Sequence, residues 1–315
     1  MENSWGDSSC TNAMPAVGVV LVTHNRPVLM RKALNSILEQ DYKGKIEVIV
    51  VFDNAKIDDS LQQTLHLRQV RTIGNSRTPG LAGARNTGIL NSSCSLVAFC
   101  DDDDTWLPSK LTSQVNALNR SPEHDVVSTA MIVDYDGTES LRIAGKTKVP
   151  YQDFLRSRMA MVHSSSLLFR KKPLVEEIGL VNEAIPNSMC EDWDLLIRAS
   201  KCQDILHVDE PLIRVLWGGS SYFYQRWEVK NKAHQWMLEH HPDILTNRVG
   251  SSRVFGQLAF GYAALKQPKK SRKWARKSLR KNWREPRAYL ALAVSYGLVS
   301  DQKVIDRLQR HGRGI

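Results

Sequence analysis

The amino-acid sequence predicts an α/β fold: a mostly parallel sheet flanked by helices, followed by an α-helical C-terminal extension. Three observations predict it. Short apolar runs suited to buried strands recur between Val17 and Asp101, and each ends in polar residues. Segments with helical spacing or a glycine-rich helix start lie between them, giving a strand, polar end, helix order. Strand signals then stop near Glu228, and only helical periodicity remains.

The elements follow in order. Residues 1–14 have neither a basic start nor an apolar core, so they read as a disordered lead and not a secretory signal. Val17–Val22 is the first strand; it stops at Thr23-His24-Asn25-Arg26, with Pro27 at a first helical position. Ala33, Leu34, Ile37 and Leu38 repeat at helical spacing, and Gly44 ends that segment. Ile46–Phe52 is the second strand, ending at Asp53-Asn54. Leu61–Gln69 is expected as a helix and Val70–Ile73 as a short strand. Gly80–Gly88 (GLAGARNTG) opens another helix, and Leu96–Phe99 leads into Asp101–Asp104. Asp125–Val133 and His163–Arg170 are expected strands, with Asp136-Gly137 a turn and Phe154–Met161 a short helix. Met189–Ala199 is expected as a helix with Glu191 and Asp192 at its N-terminal end, where the helix dipole favours acids. Ile205–Val208 and Ile213–Leu216 read as two short closing strands, and residues 217–221 as a mobile loop. Arg253–Lys266, Ser271–Asn282 and Pro286–Leu298 are expected helices. These divide the chain into a sheet domain over 15–225, with halves at 15–118 and 119–225, and a helical basic region over 226–315.

The stretch LVAFCDDDDTWL, Leu96–Leu107, carries the clearest chemistry. Four acids cannot continue a buried strand, because unpaired carboxylates are costly to bury. In an extended chain Asp101 and Asp103 would point one way and Asp102 and Asp104 the other. Carboxylates converging at a strand end repel unless a cation sits between them, and oxygen donors suit Mg2+ or Mn2+. The competing reading is a solvated acidic turn before the helix near Pro108. The shared position of Thr23, Asp53 and Asp101–Asp104 favours a site, since ligands of such sheets bind beyond the carboxyl ends of the strands.

Composition sets the outer bounds. The chain of 315 residues is long enough for one large domain or two smaller ones. Five scattered cysteines with no CxxC pair suggest neither a disulfide frame nor a zinc site, and a reducing cytoplasmic setting fits. No apolar run reaches the roughly 18–20 residues of a membrane span. The net charge of +10 is local: Lys266–Arg287 holds eleven Lys/Arg and one acid, so the remainder is neutral.

The segments VVLVTHNRP, EVIVVFDN, GLAGARNTGI, LVAFCDDDDTWLPSKL and CEDWDLLIR, in this order, resemble the family 2 (GT-A fold) nucleotide-sugar glycosyltransferases over roughly Val17 to Ser221. The resemblance implies an enzyme dependent on Mn2+ or Mg2+. It would move a sugar from a nucleoside-diphosphate sugar to an acceptor hydroxyl, inverting the anomeric carbon. The acceptor would be a glycan, a lipid-linked glycan or a small molecule. By family position, Thr23, His24 and Arg26 line the nucleotide pocket, and Asp53 bonds the base. Arg85 and Asn86 lie near the nucleotide and its diphosphate. Asp103 ligates the metal; Asp101 or Asp102 contacts the ribose or holds a metal-bound water. Asp192 is the acceptor-deprotonating base, with Glu191 its competitor. Phe52 and Asn54-Ala55 depart from the family pattern on the base side of the pocket.

The basic segment 266–287 has three readings: a solvated helical face, an anionic membrane surface entered by Trp274, Leu279 and Trp283, or nucleic acid, for which no recognised motif is present. Two other functions compete with glycosyl transfer. One is a metal-dependent sugar nucleotidyltransferase. The other is a nucleotide-sugar or acidic-surface binding module without catalysis.

Overall fold

A computed structural model describes residues 14–135, 137–217 and 226–310. The expected lead and most of the expected loop at 217–221 lie outside the described residues, as does Asp136.

The first half runs β1 (Val17–Thr23), α1 (Pro27–Leu38), β2 (Ile46–Phe52), β3 (Gln63–Leu65), β4 (Arg68–Gly74), α2 (Leu81–Asn91), β5 (Leu96–Asp101), β6 (Thr105–Trp106) and α3 (Lys110–Arg120). The second half runs β7 (Val126–Tyr135), β8 (Thr138–Arg142), β9 (Lys148–Val149), α4 (Tyr151–Arg156), β10 (Leu168–Arg170), α5 (Lys171–Pro173), α6 (Glu191–Cys202) and β11 (Ile205–Trp217). Helices α7 (Trp227–His240), α8 (Arg248–Ala264), α9 (Pro268–Lys281), α10 (Pro286–Ser295) and α11 (Asp301–Arg310) complete it.

One sheet joins both halves in the order β3-β4-β2-β1-β5-β10-β7-β11-β6. Strands β4, β2, β1 and β5 are parallel, with Thr23 opposite Phe52 and Val22 opposite Asp101. Their carboxyl ends therefore meet at one edge. Alternate side chains feed two cores. Val20, Ile49, Val97 and Phe99 pack under α2 and α6, while Val19, Val48, Ala98 and Cys100 pack under α1 and α3. Apolar faces on both sides explain why these strands read as continuous hydrophobic runs.

Several expectations are corrected. Leu61–Gln69 is not a helix: a single 3-10 turn at Asp59–Leu61 is followed by β3, which pairs antiparallel with β4. His66 takes a φ of 46° at the hairpin tip. Pairing covers the edge of β4, and this tertiary gain overrides local helical spacing. In 163–170 only Leu168–Arg170 is strand; Ser164–Ser166 form a 3-10 turn. The short helix lies at Tyr151–Arg156, ahead of its expected place. The two closing strands are one, β11, whose register shifts around Pro211, as a residue without an N–H requires. Helices α7 and α11 were not anticipated.

Helix α8 binds the helical region to the sheet domain. Val254 and Leu258 share a core with Phe154 and Trp193. A Cβ at Gly250 would lie 1.8 Å from the Leu155 carbonyl oxygen, so only glycine allows this approach. In the basic segment, Trp274 and Leu279 pack inside against the helical core, and Trp274 stacks obliquely on Phe255. Both are half-buried there; of the three expected anchors Trp283 is the one that is largely exposed, at 66%. Among the described residues, no helix is long and apolar enough to cross a membrane.

Candidate active site

The carboxyl ends of β1, β2 and β5 open into a cleft of about 810 Å³. Asp53 follows β2. Its carboxylate accepts hydrogen bonds from Asn75 Nδ2 at 2.8 Å and from Gly80 N at 3.0 Å. Gly80, at φ 120°, starts α2, so Asp53 fixes where that helix begins. The Asp53 carbonyl accepts from His24 Nδ1 at 2.6 Å, turning the imidazole over the strand ends. Thr23, His24, Arg26 and Asp53 all line the cleft.

Strand β5 ends at Asp101, and the chain turns at once: Asp104 N donates to the Asp101 carbonyl at 3.1 Å. The turn replaces the expected extended alternation and separates the four acids into different roles. Asp102 accepts from Thr23 Oγ1 at 2.9 Å and from Arg26. Asp103 takes the Arg26 guanidinium at 2.8 Å. Asp104 is 1% exposed and accepts from Ser165 Oγ at 2.5 Å. Asp101 accepts from Ser164 Oγ at 2.9 Å and from Arg85 at 2.5 Å.

Electrostatics follow this layout. Burial raises the pKa of Asp103, and the charges of Asp101 and Asp102 raise it further. Burial and the charges of Asp101 and Asp103 hold the Asp104 carboxyl well above the usual range. Burial also pushes Asp101 up, but Arg85 and His163 outweigh it and keep that carboxyl low. Burial keeps the His163 pKa low.

The group fits a hard divalent cation. Asp101 and Asp103 side chains keep 21% and 22% exposure, and both line the cleft. Oxygen atoms of Asp101 and Asp104 lie with a His163 nitrogen within 4.8 Å of one another; Asp103, expected as the direct ligand, is turned to Arg26 and is not part of that group. An oxygen-rich donor set whose members repel each other is the chemistry that Mg2+ or Mn2+ relieves.

The opposite wall comes from α6. Asp192 lies 2.7 and 2.8 Å from the Arg158 guanidinium through its two oxygens and accepts from Trp193 N. Burial raises its pKa, but Arg158 outweighs this and holds the carboxylate below its ordinary range. Glu191 instead points to Arg85 at 2.5 Å, and burial pushes its pKa up to about 7. Arg85 thus clamps Asp101 on β5 to Glu191 on α6, and both carboxylates hold its own pKa above the usual value despite burial.

Two expected nucleotide residues lie elsewhere. Arg85 and Asn86 sit behind the cleft wall and do not line it. Asn86 spends its amide on the Val181 carbonyl at 2.8 Å and on Glu183 at 2.7 Å, pinning α2 to the segment before α6. Helix α2 turns both side chains inward, where they are buried.

Residues 18–177 match the model of the family described as glycosyl transferase family 2. The chain belongs to glycosyl transferase family 2. A Campylobacter jejuni relative, a GalNAc(5)-diNAcBac-PP-undecaprenol beta-1,3-glucosyltransferase, is 32% identical over 184 residues, covering 54% of this chain and 58% of that protein. An Escherichia coli UDP-Glc:alpha-D-GlcNAc-diphosphoundecaprenol beta-1,3-glucosyltransferase is 25% identical over 45% of this chain and 55% of its own. A Rickettsia felis relative, named only as an uncharacterized glycosyltransferase, is 28% identical and matched over 33% of its length. The chain thus spans between a third and about three fifths of these curated relatives. The crystal structure of S. aureus TarS 1–349 with UDP-GlcNAc shares the fold at a TM-score of 0.59 and 16% identity, covering 95% of this chain and 92% of that one.

Residues that the sequence did not single out hold the strand-end acids in place. Ser164 and Ser165 hold Asp101 and Asp104, and His163 joins them. The polar run His163-Ser164-Ser165-Ser166 was the signal: three serines fit poorly inside a buried strand. Arg158 had no comparable signal.

Proposed function

We propose that this chain transfers a sugar from a nucleoside-diphosphate sugar to an acceptor hydroxyl by a single inverting displacement, in cell-surface glycan synthesis. One observation carries the reading: Asp101–Asp103 and Asp192 come from separate parts of the sequence and line the same cleft. Asp53, Thr23 and His24 would hold the nucleoside, and Arg26 would meet the diphosphate. The names of two relatives, one with a UDP-glucose donor and both with undecaprenyl diphosphate acceptors, support a uridine nucleotide and a surface-glycan role.

Asp103, with Asp101, would hold Mn2+ or Mg2+. When bound, the ion supplies Lewis-acid stabilisation of the leaving diphosphate. Asp192 accepts the proton that the acceptor hydroxyl loses as its oxygen attacks the anomeric carbon, while the sugar–phosphate bond breaks. Each carboxylate is engaged by an arginine, but the Arg85 that holds Glu191 is 2% exposed while the Arg158 that holds Asp192 is 45% exposed, so Asp192 is the more readily released for this role. A direct displacement needs no enzyme nucleophile.

The test is product identity. Incubation with UDP-glucose, Mn2+ and a diphospholipid-linked sugar acceptor is expected to release UDP in equal amount to glycoside formed. Pyrophosphate release from a sugar phosphate and UTP would instead mark a nucleotidyltransferase. Binding of UDP-glucose with no product would mark a binding module.

A further inference from the structure

Beyond Asp192 the cleft is lined by basic residues from four separate elements. Arg156 and Arg158 come from the end of α4, Lys230 and His234 from successive turns of α7, Arg253 from α8, and Arg287 from the first turn of α10. Two of these charges are answered: Arg158 by Asp192 and Arg287 by Glu285 at 2.8 Å. Arg156, Lys230 and Arg253 form no ion pair among the described residues; Arg156 is exposed, and Arg253 feels the nearby Glu285 carboxylate, which Arg287 already holds.

The strain of this arrangement is visible. Burial lowers the pKa of Lys230, and Arg158 lowers it further. Burial lowers that of Arg253, and Arg287 adds to it. His234 is pushed to about 3, by burial and then by Arg158, Lys230 and Arg287. Its Nδ1 and the Arg287 Nε are buried without a hydrogen-bond partner. Cations facing each other across a cavity without a counter-charge lose stability, and a buried polar atom left unpaired adds to the cost. An anion entering between them would favour their charged forms.

We propose that this wall is an acceptor subsite for phosphate, so that the acceptor carries a phosphodiester or diphosphate beside the hydroxyl that Asp192 deprotonates. The proposal rests on the glycosyltransferase reading above. A single carboxylate would answer only one of the three residues that form no ion pair. A phosphate group presents several acceptor oxygens, and guanidinium groups bind it through paired hydrogen bonds. Its position fits an acceptor, since the strand-end aspartates occupy the other side of the cleft.

The experiment uses the full chain and Lys230→Gln, Arg253→Gln and the double variant. Inorganic phosphate is titrated calorimetrically, with and without saturating UDP and Mg2+. The wild type should bind phosphate in both conditions. The double variant should bind it at least tenfold more weakly, while keeping the UDP-induced rise in Tm and losing none of its own Tm, because removing repelling charges does not unfold the protein. Farnesyl diphosphate and a glycerol phosphate trimer then separate the sources: tighter binding of the first marks a lipid diphosphate, and of the second a phosphodiester polymer. Equal phosphate binding by wild type and double variant overturns the subsite, as does no binding by the wild type. If neither organic phosphate binds more tightly than inorganic phosphate, the acceptor assignment is overturned. Absence of a UDP-induced shift in the wild type overturns the donor reading instead, and the phosphate titration without UDP still decides the subsite.

Discussion

Asp192→Asn is expected to lower glycosyl transfer by between about a hundredfold and ten-thousandfold, the range lost when a positioned general base is removed. Asparagine keeps the shape and can still accept from Trp193 N, whose 2.7 Å bond orients the side chain. It cannot take a proton from the acceptor. Nucleotide binding, which involves the opposite wall, should stay within about twofold of wild type. The companion variant Glu191→Gln separates the two neighbours. Glu191 lines the same cleft, but its carboxylate is held by the buried Arg85, so its loss should appear first as reduced stability. Kinetics in which Glu191→Gln abolishes transfer and Asp192→Asn leaves kcat unchanged would move the base to Glu191.

Arg85→Met should destabilise the fold by about 3–5 kcal/mol, the cost of leaving buried charges without their partner. Arg85 is 2% exposed and sits between two carboxylates, each 2.5 Å away. Methionine fills much of the volume but leaves Asp101 and Glu191 facing each other. The measurement is the urea midpoint at fixed pH, with Arg85→Met/Glu191→Met alongside. Removing the second charge should recover part of the loss, since an apolar pair replaces a broken ionic one. A loss below about 1 kcal/mol in the single variant, with no recovery in the double, would mean that the clamp does not tie β5 to α6.

The parts of this protein that were legible in its sequence share one property: they are set by local pattern. Strands β1, β2 and β5 are buried on both faces, so their apolar runs are continuous and their polar ends are sharp. Helix α1 carries its apolar spacing and Pro27 at its start. Where long-range pairing decides, reading failed. The β3–β4 hairpin gains stability by covering a sheet edge, which no local spacing reveals. Nor does spacing show that Trp274 packs on Phe255.

The site was legible to the same degree. The strand-end position of Asp53 and Asp101–Asp104, and the helix start at Glu191-Asp192, both followed from pattern. The division of labour among the four aspartates did not. It depends on a turn closed by one backbone hydrogen bond and on serines and an arginine far away in sequence. Asn86 is the converse case. The family resemblance placed it near the nucleotide; the helix turns its amide toward Val181.

The most direct test of the account is the thermal shift produced by UDP with and without Mn2+, in wild type and Asp103→Ala. A ligand that binds only the folded state stabilises it by about 2.7 kcal/mol at a hundredfold excess over its Kd. The account predicts a clear rise in Tm for wild type that needs both UDP and Mn2+ and disappears in Asp103→Ala. A rise of equal size in Asp103→Ala, or none in wild type with any nucleoside diphosphate, would contradict it.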